Sequence, residues 1–277
     1  MAATAHRGMC GALGEVSAGF LDAAAEQGFL VPDAEGHWRV VADYHDPMSE
    51  RSHRYTAAAC RCLYRHPGRL VAAVLEELSS SVDSALVRVP AGWEPGPSPP
   101  GRRILRYVRI APQRLTAATG GDLPAGMAIV TGGGVPEDFV RDRLTAAYVE
   151  THQANARPGL VERVRGIVSG QVAESGAWSW WVAMAGETPV AYVVFDMDTW
   201  DDVTAEPVIE LIDQLVLPQA PAGCLPALLA AAAARCPPKV TTVLGKVHVD
   251  SPDPDRIYER LIHRGWQPAF DLWELSG

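Results

Sequence analysis

Residues 207–235 read PVIELIDQLVLPQAPAGCLPALLAAAAAR, and the succession of elements inside them decides the fold. Val208 to Leu217 is an apolar, largely β-branched run of strand length, interrupted by charge only at Glu210 and Asp213. Pro218 to Gly223 has turn composition, and Leu225 to Arg235 is almost all Ala and Leu, which favour helix, before Cys236-Pro237-Pro238 stops it. A strand, tight turn and helix in that order leave unpaired N–H groups at a helix N-terminus, where an anion such as a phosphate is favoured. An ordinary βα unit packing a core has the same pattern.

The neighbours of this stretch are legible too. Met127–Val130 predicts a short strand, Pro136–Gln153 a helix with proline in its first turn, and Leu160–Val168 a second helix. Ala177–Phe195 carries two strand-like runs, WSWWVAMA and PVAYVVFD, around Gly186-Glu187-Thr188, which predicts a hairpin. Asp196–Ala205 reads as an acidic loop. Lys239–Val249 reads as a strand, Asp253–Arg264 as a helix capped by Asp253, and Gln267–Leu275 as a closing strand.

The order from Met127 onward, β, α, α, hairpin, β, α, β, α, β, resembles the GCN5-related N-acetyltransferase (GNAT) superfamily. Three echoes carry the resemblance: Leu215-Val216-Leu217-Pro218 at the end of a central strand, Ala191-Tyr192 in the hairpin, and Val247-His248-Val249 followed by a helix and Gly265-Trp266. The fold class implied is α/β (α+β), a C-terminal mixed sheet flanked by helices over 121–277, preceded by a smaller N-terminal α/β domain over 1–120. The family binds acyl-CoA, so the resemblance implies acyl-CoA as cosubstrate and a small-molecule amine as acceptor. Its phosphate loop usually reads Q/R-x-x-G-x-G/A. Here QAPAGCLPALL keeps Gly223 but lacks the loop arginine and second glycine, and Pro226 removes an N–H.

The resemblance also places candidate site residues. The N–H groups of Leu215, Val216 and Leu217 would hold the acyl carbonyl, and those of Gly223, Cys224 and Leu225 a phosphate. Glu210, Asp213 and His248 are base candidates. Glu210 and Asp213, three apart in a strand, are expected on opposite faces, and a carboxylate in so apolar a strand is expected to have a raised pKa. Tyr258, one turn from the position from which the family protonates the leaving thiolate, is the acid candidate.

Residues 1–120 carry fewer signals. Residues 11–29 have helical spacing, His37–Ala42 reads as a strand, Ser49 begins a helix reaching Tyr64, and Arg69–Ser80 is a second helix. HPGRLVAAVLEEL (66–78) and ALVRVPA (85–91) repeat a loop–helix–strand, as a remnant of a duplicated GNAT unit would. Cys60, Cys62 and His66 lack a second ligand pair, so no metal site is expected. Residues 1–125 hold 13 basic and 13 acidic side chains, and residues 126–277 hold 11 and 20. The arginines at 51–69 and 102–114 are the one pattern favouring an alternative, aminoacyl transfer from charged tRNA to an amine; a non-catalytic GNAT-like binding module is the other. No apolar run is long enough to span a bilayer, and a cytoplasmic location is expected.

Overall fold

The computed structural model describes residues 16–33, 35–78, 82–95, 101–118, 123–152, 158–173 and 178–276. The N-terminal half runs α1 (Ala18–Glu26), β1 (Leu30–Pro32), β2 (Trp38–Asp46), β3 (Arg51–Ala59), α2 (Arg61–Arg65), α3 (Pro67–Leu75), β4 (Ser84–Pro90), β5 (Gly101–Ile110) and α4 (Pro112–Ala118). The C-terminal half runs β6 (Met127–Thr131), α5 (Glu137–His152), α6 (Leu160–Ala173), β7 (Trp178–Ala185), β8 (Thr188–Asp201), β9 (Glu206–Val216), α7 (Cys224–Ala233), β10 (Thr242–His248), α8 (Pro254–His263) and β11 (Gln267–Leu275). The start of the 11–29 helix lies outside the described residues.

All eleven strands join one sheet, in the order β1-β2-β3-β4-β11-β5-β10-β9-β8-β7-β6. Only β3–β4 and β9–β10 pair in parallel, each across a helical crossover. The last strand of the chain is inserted between β4 and β5, and β5 pairs with β10. Each half thus gives a strand to the middle of the sheet. The C-terminal part is the expected mixed sheet between helices. α7 and α8 cover one face through Leu228, Ala232 and Ile209, and α5 and α6 the other through Leu144, Val164 and Tyr192.

Three expectations fail. The segment after Ser49 is a strand, because Arg51–Ala59 pairs with β2 along its length and His53–Thr56 also with β4, and this pairing overrides the helical preference of Ala57–Ala59. Residues 196–205 are mostly not a loop; β8 and β9 continue as an arm to the Asp201–Glu206 pair. Asp253 precedes α8 in left-handed backbone (φ 55°) and makes no capping hydrogen bond.

The shared sheet makes the halves interdependent. Leu70→Ala in the N-terminal core and Leu228→Ala in the C-terminal core, both fully buried, should each lower the same single denaturant transition by about 2–5 kcal/mol. Two separable transitions, each sensitive to one substitution, would contradict this.

Candidate functional site

The strand that the sequence singles out, β9, carries a bulge at Ile212. Val194 opposes Asp213 while Phe195 opposes Leu211, so Ile212 has no partner on β8. Pairing with β10 runs only from Thr242↔Val208 to Leu244↔Glu210 and stops just before the bulge. Bulges bend and twist the strand that holds them, and from this point β9 and β10 diverge. A gap opens between the last residues of β9 and Gly245–His248.

The extra residue also shifts the side-chain alternation. Glu210 opposes Asp196 and Asp213 opposes Val194, which places both carboxylates on the face covered by α5 and α6, not on opposite faces. Between them stands Lys246 of β10, whose Nζ donates to Glu210 Oε1 at 3.0 Å. His248 is two residues further along β10 on the same face. Tyr148 and Thr151 of α5 complete a cavity of about 130 Å³ with Asp213, Gln214, Lys246 and His248. A second cavity of about 210 Å³ also includes Thr151 and His248 in its lining.

Protonation in this cleft is set by burial and by Lys246. Burial raises the Asp213 carboxyl, although Tyr192 Oη donates to its Oδ2. Burial opposes the Lys246 charge, yet Glu210 and Tyr148 hold its pKa above the ordinary value, so it stays an ammonium. Burial, Lys246 and His152 push the His248 imidazole down to about 4, which leaves the ring neutral at physiological pH. Among the described residues its nitrogens meet no hydrogen-bond partner.

The three β9 backbone candidates differ in direction. Leu217 N–H donates to Val190 O at 2.9 Å. Antiparallel alternation turns Leu215 N–H toward β8 as well and Val216 N–H away from it, into the gap. At the start of α7, Gly223 is left-handed (φ 97°), the Cys224 N–H donates to Pro221 O, and among the described residues the N–H groups of Gly223 and Leu225 meet no carbonyl. Tyr258 lies across the sheet from His248, packed with the α7 face, its ring 3.3 Å beneath the Arg106 guanidinium. Arg106 is also bonded to Asp255 at 2.9 Å.

Several arginines of the two runs are paired with carboxylates. Arg51 meets Glu274, Arg54 meets Asp43, Arg69 meets Glu35, Arg102 meets Asp250 and Glu274, and Arg103 meets Glu94. Among the described residues no helix is long and apolar enough to cross a membrane.

Sequence reasoning missed Lys246, Tyr148 and Tyr192. A signal existed for the first: Lys246 is one of only two lysines in a chain otherwise using arginine, and it shares a strand face with His248.

No family model matches the chain, and no curated protein does. Solved structures similar to it include a Drosophila protein (14% identity, 99% of this chain and 94% of that one, TM-score 0.49). A GCN5-related N-acetyltransferase from Kribbella flavida is similar at 17% identity over 92% and 94% of the two chains, with TM-score 0.44. A tandem GNAT protein from the clavulanic acid biosynthesis pathway is similar at 14% identity over 88% and 81%, also with TM-score 0.44. At these scores the likeness concerns the overall course of the chain alone.

The His248 shift has a stability consequence. Its folded pKa is depressed from 6.5 to about 4, so its contribution is fully present above about pH 6.5 and is lost as pH falls through about 4. The whole loss is on the order of 3 kcal/mol. His248→Phe should therefore remove part of the acid sensitivity seen in urea unfolding between about pH 7 and about pH 4.5. A wild-type-to-variant difference that stays constant over that interval would exclude His248 as the titrating group.

Proposed function

We propose that this protein is an N-acyltransferase that moves an acyl group from acyl-CoA to a small-molecule amine. The observation that carries the reading is the gap between β9 and β10, opened by the Ile212 bulge, with one inward N–H at Val216 and a neutral imidazole on the α5 side. An acyl thioester lying in the gap would place its carbonyl oxygen on Val216 N–H, which gains strength as the oxygen becomes an oxyanion. The unpartnered N–H groups of Gly223 and Leu225 lie at the start of α7, where a helix N-terminus favours phosphate.

The acceptor arrives as an ammonium and must lose one proton before it attacks. That proton passes to solvent water, helped by the Lys246 charge close by, and the neutral His248 ring accepts a hydrogen bond from the free amine, directly or through one water. The amine nitrogen then bonds to the acyl carbon, and the oxyanion collapses with breakage of the C–S bond. The nitrogen's second proton passes to solvent water, and the departing thiolate takes a proton to become the free thiol. Tyr258, fixed under Arg106 on the other side of the sheet, is the proposed donor of that last proton. Asp213, held by Tyr192, and Glu210, held by Lys246, shape the field around the reacting amine instead of taking the proton.

Two measurements test this. Acetyl-CoA near a hundredfold excess over its Kd should stabilise the protein by about 2.7 kcal/mol, and free CoA should be released when an amine panel is added; the absence of both would refute the reading. Val216→Pro removes the inward N–H while leaving the β8 ladder intact. It should cut turnover by about 10²–10³ with little change in CoA affinity, and unchanged turnover would remove Val216 from the mechanism.

A further inference from the structure

The larger cavity defines what kind of amine fits. It is built mainly outside the C-terminal half, and it adjoins the reaction cleft, Thr151 and His248 lining both spaces. Leu86, Ile104, Leu105 and Leu272 line it from the strands in the middle of the sheet. On its other side the β2–β3 hairpin contributes Tyr44 and His53, whose rings stack with centroids 6.1 Å apart and planes 21° apart. Tyr44 is 46% exposed despite its size, so its ring presents an uncovered face.

The charged groups around this space already have partners within the protein. Arg51 pairs with Glu274 at 2.7 Å. Glu274 also receives the Ser84 hydroxyl and the Arg102 guanidinium, and it titrates below its usual range because these partners outweigh burial. Asp46 is occupied by Met48 N–H, Ser49 N–H and the Ser49 hydroxyl. His53 Nδ1 pairs with Ser84 Oγ at 2.8 Å, and burial keeps its ring neutral. A second charge on the ligand would have to compete with these pairs. An uncharged, apolar group would only displace water from four aliphatic side chains and two rings.

We propose that the acceptor is a primary amine with an apolar or aromatic body, its nitrogen at His248 and its body in the cavity walled by the β2–β3 hairpin. This rests on the acyl-transfer reading above and deepens it: residues 38–59 become the acceptor-recognition element. A volume of about 210 Å³ accommodates roughly seven heavy atoms at the ~30 Å³ that a water occupies in the liquid. Hexylamine is of that size and phenethylamine slightly larger; glycine and ethanolamine are too small to fill the cavity.

The experiment compares these four amines with acetyl-CoA as donor and, separately, as ligands without donor by isothermal titration. Burying a body of this kind should favour phenethylamine and hexylamine over glycine and ethanolamine by at least tenfold in kcat/KM. Tyr44→Ala removes an exposed ring, and Thr151→Trp adds bulk where the two cavities meet. Each should raise the acceptor KM at least threefold and leave the acetyl-CoA KM unchanged, with folding checked by circular dichroism. Equal kcat/KM for all four amines, or an acceptor KM indifferent to both substitutions, would overturn the proposal while leaving acyl transfer standing. Binding of hexylamine without donor, weakened by Thr151→Trp, with no turnover of any amine would support the cavity assignment and overturn the acyl-transfer reading.

Discussion

One unpaired residue, Ile212, controls the site. Had β9 and β10 continued in register, their N–H and C=O groups would have paired and the sheet would have closed over the place where a donor can enter. The bulge ends that pairing at Glu210 and does a second thing through the same geometry. It turns Asp213 onto the face of Glu210, so that two carboxylates and the Lys246 ammonium share one side of the sheet. Two buried carboxylates without that cation would repel each other and one would be driven neutral. Lys246 permits the arrangement, and its charge acts on His248 as well.

Exchange of β5 and β11 between the halves explains why the cavity of about 210 Å³ is lined from both. Leu272 stands on β11 and Leu105 on β5, strands that are hydrogen-bonded neighbours in mid-sheet although they lie far apart in the sequence. The β8–β9 arm reinforces the join. Asp201 near its tip receives both terminal nitrogens of Arg88, at 2.8 and 2.7 Å, while Phe270 lies 3.8 Å from the same guanidinium. Nearby, Val203 of the arm packs into the N-terminal core. A buried bidentate pair adds little net stability, but breaking it leaves an unpaired charge. It fixes the position of the arm more than it strengthens the fold.

The sequence exposed the elements whose signals are local. The hairpin at 178–195 was legible because Trp and Val alternate around Gly186, and β9–α7–β10 because a β-branched run, a Pro/Gly turn and an Ala/Leu run follow one another. What stayed hidden is decided by partners distant in sequence. Ala58 and Ala59 are strand because β2 pairs with them, and Asp196–Asp201 are strand because Glu206–Glu210 returns beside them. The bulge left no trace in LIDQLV, which contains neither Gly nor Pro, so Glu210 and Asp213 were assigned to opposite faces by a period of two that fails there. His248 was legible as a candidate, but the cation beside it was not.

The N-terminal half repeats the parallel crossover and then disables it. β3 and β4 pair from His53↔Ser84 to Thr56↔Val87 and diverge beyond, as β9 and β10 do. In this second gap stands Tyr64, whose hydroxyl receives the Ala59 N–H at 3.0 Å and donates to the Arg88 carbonyl at 3.2 Å. The Trp93 indole N–H in turn donates to the Tyr64 carbonyl at 3.1 Å. Backbone groups that a ligand could have bonded are satisfied by a side chain, and burial raises the phenol so that it remains a neutral donor. A gap filled from within cannot hold a thioester. The half that contains it is free to serve the other as a wall, which is the position its β2–β3 hairpin occupies beside the open cleft.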